Sequence, residues 1–442
     1  MDQERAEEPL VSELSAEGQS SNGGGLSRRQ ALKYAAWGAG SVAAGGGLCW
    51  YLKHQAAAMT ASEVFKNDAP DETLWQQWQR QGWVREGLFY RRLGRNVQCR
   101  MCPNECLLSP GDRGRCRNRV NKDGTLYTLA YGNACSLHVD PIEKKPLSHF
   151  IPSTGTFSFA SSGCGFRCLN CQNWDISQRK PEETKDGSGE PLRLNPEMLQ
   201  RISRQAMNRL SLFPEDIVAL AEHLHCPSVS YTYSEPTVWL EYMLDTARLA
   251  RQKSIKNVWV TCGYIQQDSL RELCRYLDAA IVNLKSFSDE IYRDLNSGRL
   301  EPVLETLKTL KRERVWFEVL NLLVPTYTDK PPMIRQMCRW LVDTFGSDVV
   351  LHFSRFHPAH KLQHLPSTPV ETLCEAREIA RESGLRYVYL GNTQEPQDAE
   401  TTFCPQCHRA LVQRQGFAAR MLNMHNGKCL SCGTVIPGVW SV

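Results

Sequence analysis

From Thr156 onward the chain repeats one pattern: a short β-rich run, then a stretch with helical periodicity. The runs "TFSFAS" (156–161), "SVSYTY" (228–233), "NVWVTC" (257–262), "AAIVNLKS" (279–286), "VWFEVLNLLV" (315–324), "DVVLHFSRF" (348–356) and "YVYLGN" (387–392) are separated by amphipathic segments such as "VWLEYMLDTARLARQK" (238–253). Strands that alternate with helices of about ten to fifteen residues predict βα units on a parallel sheet. The fold class is therefore α/β, and six or seven such units suffice for a barrel or an incomplete one. In barrels of this kind the chemistry gathers at the C-terminal ends of the strands. Three clustered cysteines, Glu235, Gly263 and Lys285 all fall at or just past such ends.

Cysteine is the one residue type whose use is unusual. Eleven of the eighteen lie in three tight groups. Cys164, Cys168 and Cys171 follow the first strand in the stretch "SSGCGFRCLNCQNW". Two thiols close a disulfide and four close a zinc site, so three on one short loop leave a position open. Thiolates at this spacing suit an iron–sulfur cubane, whose fourth iron is then free for a substrate or cofactor. A zinc site completed by a distant histidine, or three free thiols, are the plainer alternatives.

Cx3Cx2C directly after a first strand, opening a βα series, resembles the radical S-adenosylmethionine superfamily. The resemblance implies a partial (β/α)6-type barrel and a [4Fe-4S] cluster on Cys164, Cys168 and Cys171. It also implies S-adenosylmethionine on the open iron and a 5′-deoxyadenosyl radical that abstracts hydrogen from a substrate. "YTYSEPTVWLEY" (231–242) looks like the second-strand motif of activating-enzyme-type members. It would bring Tyr233, Glu235 and Pro236 to the cofactor, with Gly263 and Lys285 from the next strand ends and Lys285 available for a cofactor carboxylate. Cys262, Asn283 and Asn170 depart from the usual residues at their positions. "CRMCPNECLLSPGDRGRCRNR", "HVDPIEKKPLSHF", "SRFHPAHKL" and "CGTVIPGVW" narrow the resemblance to the radical enzyme of the AmmeMemoRadiSam system. That likeness spans about residues 95–442 and makes Memo-like and AMMECR-like proteins candidate partners by analogy. The chemistry asks for a low-potential electron donor such as a flavodoxin or ferredoxin.

The remaining two groups hold four cysteines each. Cys404, Cys407, Cys429 and Cys432 form two CxxC knuckles, the pattern of a structural zinc, with rubredoxin-like iron as the lesser alternative. Cys99, Cys102, Cys106 and Cys116 fit zinc, an auxiliary iron–sulfur cluster or free thiols, and their spacing does not choose. Of His138, His149, His357 and His360, the expectation is structural roles, with His357 the one to test for substrate contact.

The expected division is a targeting or disordered segment over 1–65, a Cys-rich extension over 66–150, the βα unit over 151–394 with a polar insertion at about 178–212, and a small metal module over 395–442. Arg28 and Arg29 precede an Ala/Gly-rich run that resembles a twin-arginine export signal, or an anchor; a basic tail on a cytoplasmic protein is the alternative. A formal charge of +4 over 442 residues leaves no footprint for nucleic acid. Activation of a glycyl radical enzyme is the second enzymatic reading. A non-catalytic iron–sulfur or zinc assembly module is the reading from another class.

Overall fold

A computed structural model describes residues 64–184 and 211–441. The twin-arginine stretch, most of the polar insertion and "PEMLQRISRQAMNRL" (196–210), whose pattern predicts a helix, lie outside the described residues. Phe65, assigned from sequence to the leading segment, already belongs to the fold, since its backbone pairs with Arg113 in both directions.

Eight strands form the main sheet: β1 (Ser136–Pro141), β2 (Gly155–Ala160), β3 (Ser228–Tyr231), β4 (Lys256–Thr261), β5 (Ala279–Asn283), β6 (Trp316–Leu323), β7 (Val350–Arg355) and β8 (Tyr387–Gly391). They lie side by side in chain order. β2 to β8 are parallel and β1 runs antiparallel to β2, with Asp140 opposite Thr156. Between the parallel strands run α1 (Pro214–His223), α2 (Leu240–Gln252), α3 (Gln267–Cys274), α4 (Glu301–Arg312), α5 (Pro331–Phe345) and α6 (Val370–Glu382). Sequential parallel neighbours are what repeated βαβ crossovers of one hand produce. The seven runs read as strands are the seven parallel strands, and an antiparallel strand is added on one edge. β1 escaped detection because only Leu137 and Asp140 of its residues are buried, so its apolar pattern is weak.

Local sequence accounts for the layers. β3 and β5 are buried nearly throughout, as strands covered on both faces must be. α4 buries Val303, Leu304, Leu307 and Leu310 on one stripe, with Pro302 in its first turn and Lys311 and Arg312 in its last.

The two ends of the sheet are closed by different parts of the chain. At the N-terminal edge, Cys404, Leu411, Met424 and Cys429 pack on Trp316, Val350 and Tyr387, the first residues of β6, β7 and β8. The loop with Ile142, Leu147, Phe150 and Ile151 fills the space below β4 and β5. It is tied to the C-terminal tail by Ile151 N to Val439 O at 2.6 Å and Val439 N to His149 O at 2.8 Å. At the opposite edge, the Cys-rich extension joins the main core, where Cys99, Met101, Cys102, Cys106 and Cys116 share one cluster with Phe166 and Cys168. The two four-cysteine groups therefore stand at opposite ends of the sheet.

Candidate active site

β2 ends at Ala160, and the loop with Cys164, Cys168 and Cys171 begins at once. Its backbone is tied from several sides. Arg167 N and Leu169 N donate to Asn296 O (3.1 Å) and Leu295 O (2.9 Å), the end of a short helix over Asp289–Asn296. Lys361 N donates to Leu169 O at 2.9 Å, and Asn104 Nδ2 reaches Gly165 O at 3.0 Å.

The sulfurs are prepared for charge. The Phe166 amide donates to Cys164 Sγ at 3.3 Å, and the Asn173 amide and Ser177 donate to Cys171. Asn296 Nδ2 lies 3.2 Å from Cys168 Sγ. Even so, burial, then Glu235 and Cys168, push the Cys164 thiol well above its usual range. Burial and Cys168 push Cys171 up to about 11. Sulfurs crowded like this ionise together only against positive charge, which a metal centre supplies. Lys285 adds to it: burial opposes its charge, but Cys168, Cys262, Cys171 and Cys164 outweigh that and raise its pKa.

The next strand ends complete the rim. Glu235 sits just past β3, and its carboxylate accepts from the Thr237 amide (3.1 Å), Thr237 Oγ1 (2.6 Å), Thr261 Oγ1 (2.7 Å) and the Cys262 amide (2.8 Å). It therefore clamps the end of β4 to the end of β3. Pro236 opens the buried 3-10 turn that follows. Gly263 has φ +68, and a Cβ there would lie 2.9 Å from Val282 Cγ1, so the chain can turn inward only because the residue is glycine. Cys262 meets Glu235 through both its amide and its buried thiol, and Asn283 Nδ2 donates to Thr261 O at 3.0 Å.

Tyr233 points elsewhere. At φ +64 its hydroxyl donates to buried Asp140, and Lys145 Nζ stands 4.9 Å from its ring. Burial works against the Asp140 charge, yet Lys145 and Lys144 hold the carboxyl well below the usual range, and burial brings Lys145 down to about 8. What Tyr233 offers the loop is its backbone carbonyl, 2.8 Å from Asn173 Nδ2.

Among the histidines, His149 is a core residue between Pro437 O (2.7 Å) and the Tyr389 hydroxyl (2.6 Å). His138 meets the Tyr233 ring edge-on. His357 is exposed and bonds Ser367 at 3.1 Å, whereas His360 stacks on Trp174, three residues past Cys171. Sequence reasoning passed over Asn296 and the helix that carries it, although Ser288 before "DEIYRDLN" is a legible N-cap.

The C-terminal four are the one group among the described residues whose ligand atoms all lie within 4.8 Å of one another. Cys404 to Cys432 is 3.5 Å and Cys407 to Cys429 is 3.6 Å. Zn–S bonds of about 2.3 Å make a tetrahedron with edges of roughly 3.8 Å, so the donor set fits one metal ion.

A parallel α/β sheet with three cysteines at the C-terminal edge of its first parallel strand is the arrangement of an α/β protein whose chemistry lies at its strand ends. The family model of the Radical SAM superfamily matches residues 159–338, from inside β2 to inside α5. An uncharacterised protein of Methanocaldococcus jannaschii is 43% identical over 356 residues, covering 80% of this chain and 99% of its own. The pyruvate formate-lyase-activating enzyme of Clostridium pasteurianum is 22% identical over 177 residues, 40% of this chain and 64% of that enzyme. The structure of Streptococcus suis SuiB bound to S-adenosylmethionine covers 60% of this chain and 56% of its own at 14% identity, with a TM-score of 0.37. The chain belongs to the radical SAM superfamily and is a radical SAM enzyme. Membership implies S-adenosylmethionine and an iron–sulfur cluster. The three-thiol loop, with its amide donors and Lys285, is a donor set that fits such a cluster.

Proposed function

We propose that Cys164, Cys168 and Cys171 hold a [4Fe-4S] cluster at the mouth of a partial barrel, and that the open corner takes S-adenosylmethionine. When bound, this pair supplies one-electron cleavage of the sulfonium S–C5′ bond and a 5′-deoxyadenosyl radical that takes hydrogen from substrate. The chain's own part is positioning. Lys285 places a positive charge beside the three sulfurs, where it offsets thiolate charge and faces a cofactor carboxylate. The Glu235 clamp fixes the rim against which the cofactor's amino group would sit. Gly263 admits the backbone closely, and buried Phe166 and Tyr264, 4.7 Å apart, keep water from the loop's underside. The C-terminal four cysteines hold a structural zinc.

The observation that carries this reading is three buried or half-buried thiols on one short loop, with Lys285 in their field, at a parallel strand end. The motifs shared along the chain favour the AmmeMemoRadiSam radical enzyme, with Memo-like and AMMECR-like proteins as partners, a flavodoxin or ferredoxin as donor, and a peptidyl substrate. The likeness to the Clostridium activating enzyme supports activation of a glycyl radical enzyme as the second reading.

The test is anaerobic. Reconstituted protein with dithionite and S-adenosylmethionine should form 5′-deoxyadenosine, and Cys168→Ala should abolish it. A chain that binds iron and sulfide but forms none would be an assembly module. Deuterium carried from a labelled glycyl radical enzyme into 5′-deoxyadenosine would favour the second reading.

A further inference from the structure

The extension's four cysteines are not used by the chemistry above, and their place in the fold says more than their spacing did. Cys99, Cys102, Cys106 and Cys116 are each only 5–6% exposed. All four belong to one core cluster with Phe166 and Cys168. Yet they do not gather around a single ion. The C-terminal four do, within 4.8 Å, whereas the extension's sulfurs and the three loop sulfurs both stand wider. A wider cage is what several irons bridged by sulfide require.

The local chemistry favours bound thiolates. The amides of Met101 and Asn104 donate to Cys99 and Cys102, each from two residues downstream. The Phe166 and Asn173 amides serve Cys164 and Cys171 from the same offset. Arg119, 1% exposed and ion-paired with buried Glu241, brings Nη1 to 4.0 Å from Cys99 Sγ, and its Nε has no hydrogen-bond partner. Its N–H groups are donors that a bound thiolate can use.

The group also abuts the radical loop. A Cβ on Gly163, at φ +92, would lie 2.5 Å from Cys116 O, so the residue before Cys164 touches the residue that carries the fourth thiol. The Arg117 guanidinium is within the field of both Cys116 and Cys164. An electron relay has to stand beside the site it feeds, and this group stands beside the three-cysteine loop.

We propose that Cys99, Cys102, Cys106 and Cys116 hold an iron–sulfur cluster that relays single electrons to the three-cysteine site, an inference that rests on the radical reading of that site. One electron from a reduced flavodoxin- or ferredoxin-type protein reduces this cluster, and the same electron then moves to the loop; no bond forms or breaks in the transfer.

The full chain carrying Cys164→Ala, Cys168→Ala and Cys171→Ala together, reconstituted anaerobically, should retain iron and acid-labile sulfide and give a paramagnetic signal on reduction. Adding Cys102→Ser or, separately, Cys106→Ser should remove both. Zinc without sulfide, or no metal at all, in the triple variant overturns the cluster. For the relay, Cys102→Ser in the otherwise natural chain should lower flavodoxin-driven relative to dithionite-driven 5′-deoxyadenosine formation by about tenfold or more. An unchanged ratio overturns the relay. Failure of the radical reading shows separately, as no 5′-deoxyadenosine from the natural chain under dithionite.

Discussion

Glu235 shows what one residue does at this site. Its buried carboxylate accepts four hydrogen bonds, three from β4's end and the turn's side chain and one from the turn's own amide. Glu235→Ala leaves two hydroxyls and two amides without this partner, and should cost on the order of 2–4 kcal/mol of stability in denaturant titration. Glu235→Gln keeps part of the bonding and should cost about half as much, while 5′-deoxyadenosine formation falls in both. Lys285→Met keeps the stem and removes the charge. It should lower iron retention by the loop cluster on gel filtration more than it lowers thermal stability. The residue types at these positions were legible because carboxylate, glycine and lysine fell at strand ends in register. That Glu235 spends its oxygens on Thr261 and Cys262 was not legible, because those partners lie 26 and 27 residues away. Tyr233 also differed, since its side chain turns toward Asp140, 93 residues earlier.

At the scale of elements, the three-cysteine loop is held by pieces that sequence proximity does not connect. Its donors and acceptors come from the helix ending at Asn296, from Lys361 and from Asn104. Gly163 is the narrowest join, since its φ of +92 is strained for any other residue and its Cβ position is occupied by Cys116 O and Asn118 Oδ1. Gly163→Ala should therefore part the extension from the loop, costing about 1–3 kcal/mol in backbone strain alone. The expected result is lower iron content with the metal held by Cys404, Cys407, Cys429 and Cys432 unchanged, read by metal analysis of the purified variant. The seven parallel strands and α2 to α6 were readable from alternation of apolar runs; α1 was not, because the helical pattern ahead of β3 falls on 196–210. The polar β1 was not, because only two of its side chains are buried, whereas the Asp289–Asn296 helix is marked locally by the Ser288 cap and its apolar stripe.

Across the whole molecule, a buried polar network joins the loop below the sheet to β6, β7, β8 and the C-terminal module. Glu318 accepts from the Ser148 and His149 amides and meets His352 Nε2 at 2.6 Å. Arg414 reaches Thr402 at 2.9 Å and Ser148 O. Burial lowers His149 from 6.5 to about 4, so the fold favours its neutral form. The unfolded chain then binds more protons between those values. This contribution is full above pH 6.5, falls as pH drops toward 4, and amounts to on the order of 3 kcal/mol. Burial works against the Glu318 charge, yet His352 and His149 hold it at about 2, so its share is present above the ordinary carboxylate range and lost on the way to 2. Thermal unfolding should therefore move to lower temperature between pH 6.5 and 4, and His149→Asn should flatten that slope while lowering stability at neutral pH.

The amino-acid sequence by itself determined the α/β class, the three-thiol loop and the closed C-terminal knuckles, because period, turn and ligand spacing are local properties of a chain. Only the tertiary structure decided that the two four-cysteine groups occupy opposite ends of the sheet. Four clustered cysteines pack under the first residues of β6, β7 and β8 at one end, and four others stand beside the three-cysteine loop at the other. The physical reason is that a sulfur's role depends on the charges and neighbours around it, and here those come from segments far apart in sequence.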